Sequence, residues 1–403
     1  MAEITLTTMS DALKYLYKDI ISDQIDYSSC PLAEKLETRS DKIVGDTIYT
    51  QIRYGVHGGM GALGETDTLP TPSQRTYKQI SYPTKNLFAR FQMSVKAIQG
   101  MKSSKRAFVN GLTEQVETLT KDTQKYYARM FHTGNDGKIG TLATNSTTTT
   151  LSLNTGGGTA AEKKDAVKYF EEGMIIDLCQ SDGTVDVSGR TIEQVDRTNG
   201  QIEISGANVS TTAGDIVTLS GTYGHELTGL ADVFKSTGTL YGLDRSSYLF
   251  FKPYLKDVSG EINEIVLQEA IDEVNDYDGS IDFLIGSKGV VRAYQNYMIA
   301  AKRNVNVKKL VGGYDALDYD GMPLVKDKYC KRGSLYGLST KEWAVHQLTG
   351  WNWMGDDGHS TTGMLTKVAN KPVYEATLYK FADLGTRKPN ANFELQNITE
   401  RSE

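Results

Sequence analysis

The sequence predicts an α+β protein of more than one lobe, organised around one long helix. That helix is predicted from Ser103 to Met130, where apolar side chains recur every three to four residues for about seven turns. Two alternating patterns before it predict a long β-hairpin, and short alternating segments after it predict a small antiparallel barrel or sandwich. With 403 residues the chain exceeds the size at which a single hydrophobic core stops growing.

The predicted helix has the length of a spine across a flat, extended subunit. Ser103 or Ser104 can cap its first turn, and Gly134, Asn135 and Gly137 end it. At about 1.5 Å per residue the helix is roughly 40 Å long, which is more than a small globular core needs. Its apolar stripe consists of Phe108, Leu112, Val116, Leu119, Tyr126 and Met130, with Thr123 in the slot between.

The pattern of apolar residues in 1–45 predicts an N-terminal arm with two short amphipathic helices. Leu13, Leu16 and Ile20 lie on one face of the first, and Pro31 can open the second. Neither helix is long enough to be stable alone in water, so the arm needs a surface to pack on.

The hairpin is predicted from two strand patterns, Thr47 to Val56 and Gln74 to Tyr82, separated by a tip rich in glycine and proline. An isolated two-stranded ribbon of this length is marginally stable. We therefore expect an adjacent copy of the chain to hold it. On the first strand, one face carries Ile48, Thr50, Ile52 and Tyr54. On the second strand, Tyr77, Gln79 and Ser81 lie on one face and Lys78, Ile80 and Tyr82 on the other.

Two further regions follow the helix. Gly173 to Leu230 contains short strand patterns separated by Asp-Gly, Asn-Gly and Ala-Gly turns, which predicts an inserted β module. From Ser259 the helical period returns, with Ile262, Ile265, Val266, Ala270 and Val274 on one stripe. A second helix follows Ser287, and strands are predicted up to a last one at Val373 to Phe381, before a polar tail. Helices on one side of a mixed sheet predict a terminal α+β lobe.

Composition limits the function classes. Apolar residues make up only 39% of the chain, which has 23 tyrosines and 39 glycines, as expected for thin lobes that are completed by neighbours. The net charge of −6 does not favour tight nonspecific binding of nucleic acid through a basic face. Cys30, Cys179 and Cys330 are an odd number of widely spaced thiols with no paired spacing, so neither a disulfide framework nor a zinc site is indicated. No apolar run approaches about 18 residues and no signal-like start is present, so we expect a soluble chain made in a cytoplasm.

The sequence contains no complete motif of catalysis or of cofactor or metal binding. Gly59, Gly61 and Gly64 spell G-x-G-x-x-G, but the prolines that follow prevent the helix that a dinucleotide site requires. Acidic residues alternate from Asp276 to Asp282 as in a calcium loop, but the glycine is misplaced and the twelfth-position glutamate is missing. We therefore predict no catalytic residue, cofactor or metal. The histidines His57, His132, His225, His346 and His359 are scattered and belong to no catalytic motif.

The order of arm, glycine-tipped hairpin, spine helix, β insertion and terminal α+β lobe resembles the major capsid proteins of tailed bacteriophages, which have the Hong-Kong-97-like (HK97-like) fold. The likeness spans most of the chain and rests on organisation more than on any single string. The segments that carry it are Gly61-Ala62-Leu63-Gly64-Glu65, Leu69-Pro70, Lys85-Asn86-Leu87, Ser94, Ala128-Arg129, Gly134-Asn135-Asp136-Gly137, Tyr319 to Val325 and Glu375 to Tyr379.

The resemblance implies a division of the chain into the domains of that family. Residues 1–45 would be the N-terminal arm, and 46–90 the extended loop lying over an adjoining subunit. Residues 91–140 and 364–403 would form the peripheral domain with the spine helix. Residues 141–235 resemble the β-barrel insertions of some phage coat proteins, and 236–363 would be the axial domain.

The same resemblance implies a structural function without catalysis and a set of partners. Copies of the chain would form hexamers and pentamers and enclose double-stranded DNA, which they contact without sequence specificity, in a virion assembled in the host cytoplasm. Only about 45 residues precede the hairpin, which implies a separate scaffolding protein, with a portal and decoration proteins as further partners and no membrane. Some relatives join a hairpin lysine to an asparagine; Lys78 and Lys85 are available here, and no partner residue can be assigned to them.

Two other functions remain open from the sequence. An encapsulin-like compartment of the same fold would hold an enzyme in place of DNA. A cell-surface or tail-associated binding protein would use the barrel at 173–230 to recognise a glycan or a protein, although the missing export signal weighs against the cell-surface form.

Overall fold

A computed structural model describes residues 30–101, 105–300, 307–309, 315–355 and 365–401. The predicted helix of Leu13, Leu16 and Ile20, the caps Ser103 and Ser104, and His359 lie outside these residues. The helices are α1 Pro31–Lys35, α2 Val95–Met101, α3 Lys105–Met130, α4 Ala160–Ala166, α5 Leu230–Val233, α6 Glu264–Asp276 and α7 Lys288–Ala300. The strands are β1 Glu37–Arg39, β2 Ile43–Val44, β3 Thr47–Tyr54, β4 Thr76–Pro83, β5 Lys85–Ser94, β6 Lys138–Thr141, β7 Thr150–Ser152, β8 Ile175–Cys179, β9 Val185–Asp196, β10 Gln201–Ile204, β11 Ile216–Leu219, β12 Thr239–Leu240, β13 Leu243–Asp244, β14 Tyr254–Gly260, β15 Phe283–Ser287, β16 Val307–Lys309, β17 Asp315–Tyr319, β18 Met322–Asp327, β19 Leu335–Leu338, β20 Trp343–Trp353, β21 Thr366–Lys367, β22 Val373–Thr386 and β23 Phe393–Ile398.

Two sheets form the body of the chain. A five-stranded sheet pairs β22 with β20 and β21 on one side and with β5 on the other, and β1 extends it beyond β20. A seven-stranded mixed sheet has the order β14-β23-β19-β15-β18-β17-β16. Helices α6 and α7 pack on the seven-stranded sheet, with Leu267, Ala270 and Val290 in a shared apolar core. These parts form the predicted α+β body.

The spine helix α3 ends at Met130, where the sequence predicted its end. Val116, Thr123 and Met130 of the predicted stripe are buried, and Leu119 and Tyr126 are half-buried. The side chains of Phe108 and Leu112 lie outside the part of the chain that the structure describes. Gly137, with a φ of +67°, turns the chain out of the helix into β6.

The inserted module is a six-stranded antiparallel sheet with the order β6-β11-β8-β9-β10-β7. Its two end strands meet at a bridge between Leu142 and Leu153, and the Ala143 N–H donates to the Ser152 carbonyl at 2.9 Å. The sheet therefore closes on itself around a separate apolar core that includes Phe170 and Val217. Within the region predicted to contain short strands, Val185–Asp196 forms one long strand, β9.

Two predictions about the terminal lobe were wrong, and one of its strands was not predicted. The tail after Phe381 is not simply polar, because β22 continues to Thr386 and β23 lies inside the seven-stranded sheet with Phe393 and Leu395 buried. Tyr254–Gly260 is a strand, β14, paired in parallel with β23. Ile265 is 76% exposed, since the buried stripe of α6 runs through Leu267 and Ile271 instead.

Strand pairing crosses the predicted domain limit at residue 363 in both directions. β20 precedes that limit but pairs with β22, whereas β23 follows it but pairs with β14 and β19. The two sheets are therefore interleaved along the chain, and neither could form from one continuous segment.

Candidate assembly surface

The loop between β3 and β4, residues 55–75, exposes several large apolar side chains. Val56 is 76% exposed, Met60 70% and Leu69 82%, with Leu63 nearly half exposed. The Gly58 N–H donates to Ser73 Oγ at 2.7 Å, which links the two ends of the loop. Exposed apolar side chains gathered in one segment mark an interaction site more often than a free surface.

The strands that carry this loop have one buried and one exposed face, as predicted. Ile48, Thr50, Ile80 and Tyr82 are buried. The opposite face presents Tyr49, Gln51, Arg53, Tyr77, Gln79 and Ser81, all exposed to solvent.

The expectation that an adjacent copy holds the hairpin was wrong for its strands, which pack on the body of the same chain. Tyr54 stacks on Phe250 with the ring centroids 4.7 Å apart, and the Lys78 ammonium lies 5.0 Å from the centroid of the Tyr248 ring. The Ser81 N–H also donates to the Tyr241 carbonyl at 3.2 Å. The body of the same chain therefore supports the strands, and the loop at 55–75 remains as the uncovered part.

The root of the hairpin is anchored by Tyr82, whose ring packs on Tyr241 at a centroid distance of 4.2 Å. Its hydroxyl reaches β22 at Gly385, where an added Cβ would lie 1.8 Å from the Tyr82 oxygen. Only glycine allows this close approach, so Gly385 fixes where the hairpin meets the sheet.

Beside this anchor lies a buried carboxyl group, Asp383. It accepts hydrogen bonds from the Thr228 N–H at 2.8 Å, the Thr228 hydroxyl at 3.0 Å and the Leu384 N–H at 2.8 Å. Burial raises the pKa of Asp383 from its ordinary 3.8 to about 7. On the paired strand, burial lowers the pKa of His346 from 6.5 to about 4.

These two groups affect stability in opposite directions. Between pH 4 and 7 the folded chain keeps a proton on Asp383 that the unfolded chain has lost, so this group lowers the free energy of unfolding as the pH rises. Between pH 4 and 6.5 the unfolded chain binds a proton that folded His346 excludes, so His346 raises the free energy of unfolding with pH. The other ionisable side chains near Asp383 are Lys85, which favours its charged form, and Tyr82 and Tyr241.

We expect Asp383→Asn to remove the Asp383 contribution without disturbing the hydrogen bonds. The asparagine oxygen can accept from both N–H groups, and its amide can donate to the Thr228 hydroxyl oxygen. The stability advantage of the variant over the parent chain should grow by about 1.4 kcal/mol per pH unit between pH 4 and 7 and then stay constant. Urea unfolding at several pH values measures it. Asp182→Asn, at an exposed turn, is the control, and its difference should stay flat from pH 5 to 7.

A buried ion pair joins the end of the spine to the segment that leaves the barrel. The Arg129 guanidinium donates to Glu226, and the Tyr126 hydroxyl donates to the same carboxylate at 3.2 Å. Burial raises the pKa of Glu226, and the charge of Arg129 opposes that rise. Next to the pair, the Leu230 N–H donates to the Phe131 carbonyl at 2.8 Å. These contacts position the connection between barrel and body.

The glycine motif, His132 and the acidic turn, which the structure describes, each have structural surroundings. Gly59, Gly61 and Gly64 lie in the irregular loop at 55–75, which contains no helix. His132 pairs with Asp327 at 3.2 Å in the core. At the acidic turn the Lys388 ammonium donates to the carbonyls of Tyr277 and Asp278, at 2.8 and 2.7 Å, so a cation of the chain itself occupies that position.

Both hairpin lysines that the resemblance put forward for cross-linking are engaged within the chain. The Lys78 ammonium lies over the Tyr248 ring, and its interaction with Tyr248 raises the pKa of Lys78, which keeps the amine protonated and a poor nucleophile. Lys85 donates to the Gly224 carbonyl at 3.0 Å. Either lysine would have to leave its partner before it could react.

Across the described residues, none of the helices combines the length and the apolar character needed to cross a membrane. Nor do these residues bring together three or more His, Cys, Asp or Glu side chains as a metal site would.

Comparison with known proteins identifies the fold. No protein-family profile and no curated protein sequence matches the chain. Among solved structures, the capsid chain of cyanophage A-1(L) matches with a TM-score of 0.56 and 12% identity, over 92% of this chain and 93% of that one. The capsid of a native GTA particle matches with a TM-score of 0.48 and 9% identity, over 92% and 91% of the two chains. The SrpI encapsulin of Synechococcus elongatus matches with a TM-score of 0.44 and 10% identity, over 93% of this chain and 91% of that one.

The last two TM-scores are too low to support an inference, whereas the cyanophage match covers nearly the whole of both chains. At this identity the match establishes the fold alone. The chain therefore has the α+β fold of phage capsid proteins, which the sequence resemblance predicted.

Proposed function

We propose that this chain is the major capsid protein of a phage head, a structural subunit that self-assembles into an icosahedral shell around double-stranded DNA. The observation that supports it most is the fold shared with the cyanophage capsid chain over 92% of the length. The exposed apolar loop at 55–75 gives the subunit a surface that a second copy can bury. This role is one of geometry and requires no catalytic residue.

In the proposed shell each region has a distinct role. Residues 46–90 act as the extended loop, in which the strands are held by the subunit itself and the loop at 55–75 lies on an adjoining subunit. Residues 91–140 and 364–403, with the spine helix, form the peripheral domain, and 236–363 the axial domain near capsomer centres. The barrel within 141–235 is an insertion, and 1–45 is an arm.

The proposed partners follow from that arrangement. Copies of the chain form hexamers and pentamers, and each interface is repeated by symmetry, so modest contacts add up over the whole shell. A separate scaffolding protein directs assembly, with a portal and decoration proteins as further partners. The acidic net charge of −6 limits adhesion to the packaged genome, with which contact is not sequence-specific. The virion is the site of action.

Sedimentation velocity and electron microscopy of the purified chain test this proposal. We expect closed particles of uniform size when the chain is co-expressed with its scaffolding protein, and nuclease-protected DNA in particles taken from infected cells. Monomers under every condition would contradict the proposal. Particles that enclose an enzyme and no DNA would indicate the encapsulin-like alternative.

A further inference from the structure

A large cleft lies where the spine helix, the barrel and the terminal lobe meet. Its volume is about 1040 Å³, and its walls come from α3, from α4 and the segment after it, and from the start of α7 with the loop between β18 and β19. Nine cationic and six carboxylate side chains line it, although the chain as a whole carries a net charge of −6. The cleft is therefore a local concentration of positive charge on an acidic protein.

The floor of the cleft holds buried donors that the described residues leave without acceptors. Arg129 is only 4% exposed, and while it donates to Glu226, its Nη1 has no hydrogen-bond partner among the described residues. Nη1 of Arg332 likewise has no hydrogen-bond partner among the described residues. A buried donor without an acceptor is costly, so both guanidinium groups favour an added acceptor.

The rim supplies cations that lack a carboxylate. Lys164, Lys288 and Lys328 are exposed, and within the described ranges none lies within 4.0 Å of a carboxylate oxygen. In contrast, the carboxylates Asp165, Glu171 and Glu400 are already paired with Lys168, Lys125 and Arg332. The positive charge of the rim is thus available to a ligand.

One wall of the cleft already binds an anion, which is the carboxylate of Glu400. It accepts from the Ser287 hydroxyl and from the Gly333 N–H at 2.9 Å, and lies 3.2 Å from Arg332 Nε. The group sits beside Gly289, in the first turn of α7, where N–H groups and the helix dipole favour negative charge. The carboxylate of the chain itself therefore fills this position, and the rim lysines are the cations left for the open part of the cleft.

We propose that this cleft binds a compact anion carrying several phosphate groups. Its volume suits a ligand of the size of a triphosphate or a nucleotide. Lys164 belongs to the barrel, whereas Lys288 and Lys328 belong to the lobe, so one bound polyphosphate bridges the two units. Binding at this position stabilises the attachment of the barrel by mass action. The inference does not depend on the proposed capsid function.

Inorganic tripolyphosphate, titrated calorimetrically into the purified full-length chain at low salt, is the probe. We expect one site per chain. The triple variant Lys164→Gln, Lys288→Gln, Lys328→Gln should bind at least about tenfold more weakly, because each exposed charge contributes modestly and the three add. The matched control, Lys96→Gln, Lys341→Gln, Lys371→Gln, removes the same charge elsewhere on the surface and should bind as the parent does.

A second measurement locates the ligand independently of affinity. Acetylation of surface lysines, followed by mass spectrometry, should show protection of Lys164, Lys288 and Lys328 by tripolyphosphate and no protection of Lys341. Absence of binding, equal weakening in both triple variants, or protection spread over all lysines would overturn the proposal. A short DNA duplex forms the last arm of the test. If the duplex requires the rim lysines and tripolyphosphate does not bind, the source of phosphate is DNA and the small-anion proposal fails.

Discussion

A chain in which Met60 and Leu69 are both replaced by aspartate is expected to fold normally and to form no particles. These side chains are 70% and 82% exposed in the subunit, so the substitutions leave its own core intact. In the proposed shell each of them is buried on a neighbouring copy, where an apolar side chain contributes about 1.5–3 kcal/mol. A charge at that position has to be desolvated, and the loss recurs at every subunit of the shell.

Sedimentation velocity and negative-stain microscopy of the variant and the parent chain, prepared identically, measure the effect. Val185→Asp is the matched control, because Val185 is 49% exposed on the barrel, away from the loop at 55–75. We expect the control to assemble and the double variant to sediment as a small species with an unchanged thermal midpoint. Normal particle yield from the double variant would show that the loop at 55–75 is not an assembly contact.

The features that the sequence predicted are those with a local period. The spine helix and the two faces of the hairpin follow from spacings of three to four and of two residues, and both are confirmed. The turns Asp182-Gly183 and Asn199-Gly200 likewise predicted where strands of the barrel end. Short-range chemistry decides these elements, so a single sequence is sufficient to find them.

The features that the sequence missed depend on partners distant along the chain. Strand β23 contains Phe393 and Leu395 in a polar context, and its pairing with β14 joins residues about 140 positions apart. The docking of the hairpin on Tyr241 and Phe250 is equally non-local. No periodicity reports such contacts, which is why the strands of the hairpin were wrongly expected to need another subunit.

The same reason explains why the sequence predicts the loop at 55–75 but not the long-range contacts elsewhere in the subunit. The glycines and prolines of residues 55–75 predict an irregular loop, but nothing local indicates that Arg129 pairs with Glu226 or that Asp383 bonds Thr228. Each of these pairs joins residues about 100 or more positions apart. Signals for them would have to come from correlated changes among related sequences.

Glu226→Ala is expected to cause the largest loss of stability among single substitutions in this framework. The side chains of Arg129 and Glu226 are 5% and 1% exposed, so removing the carboxylate leaves a buried guanidinium without a counter-charge. Breaking such a pair from one side costs about 3–5 kcal/mol. The loss also removes the acceptor of the Tyr126 hydroxyl, 3.2 Å away, and loosens the join between spine and barrel.

Chemical denaturation of Glu226→Ala, of Arg129→Met with Glu226→Leu, and of the parent chain separates the charge effect from packing. Because both charges are absent from the double variant, it should recover most of the stability that the single variant loses. Lys125→Ala is the control, since its pair with Glu171 is about half exposed and such pairs contribute about 0–1 kcal/mol. If Glu226→Ala were no less stable than Lys125→Ala, the buried pair would contribute nothing to the attachment of the barrel.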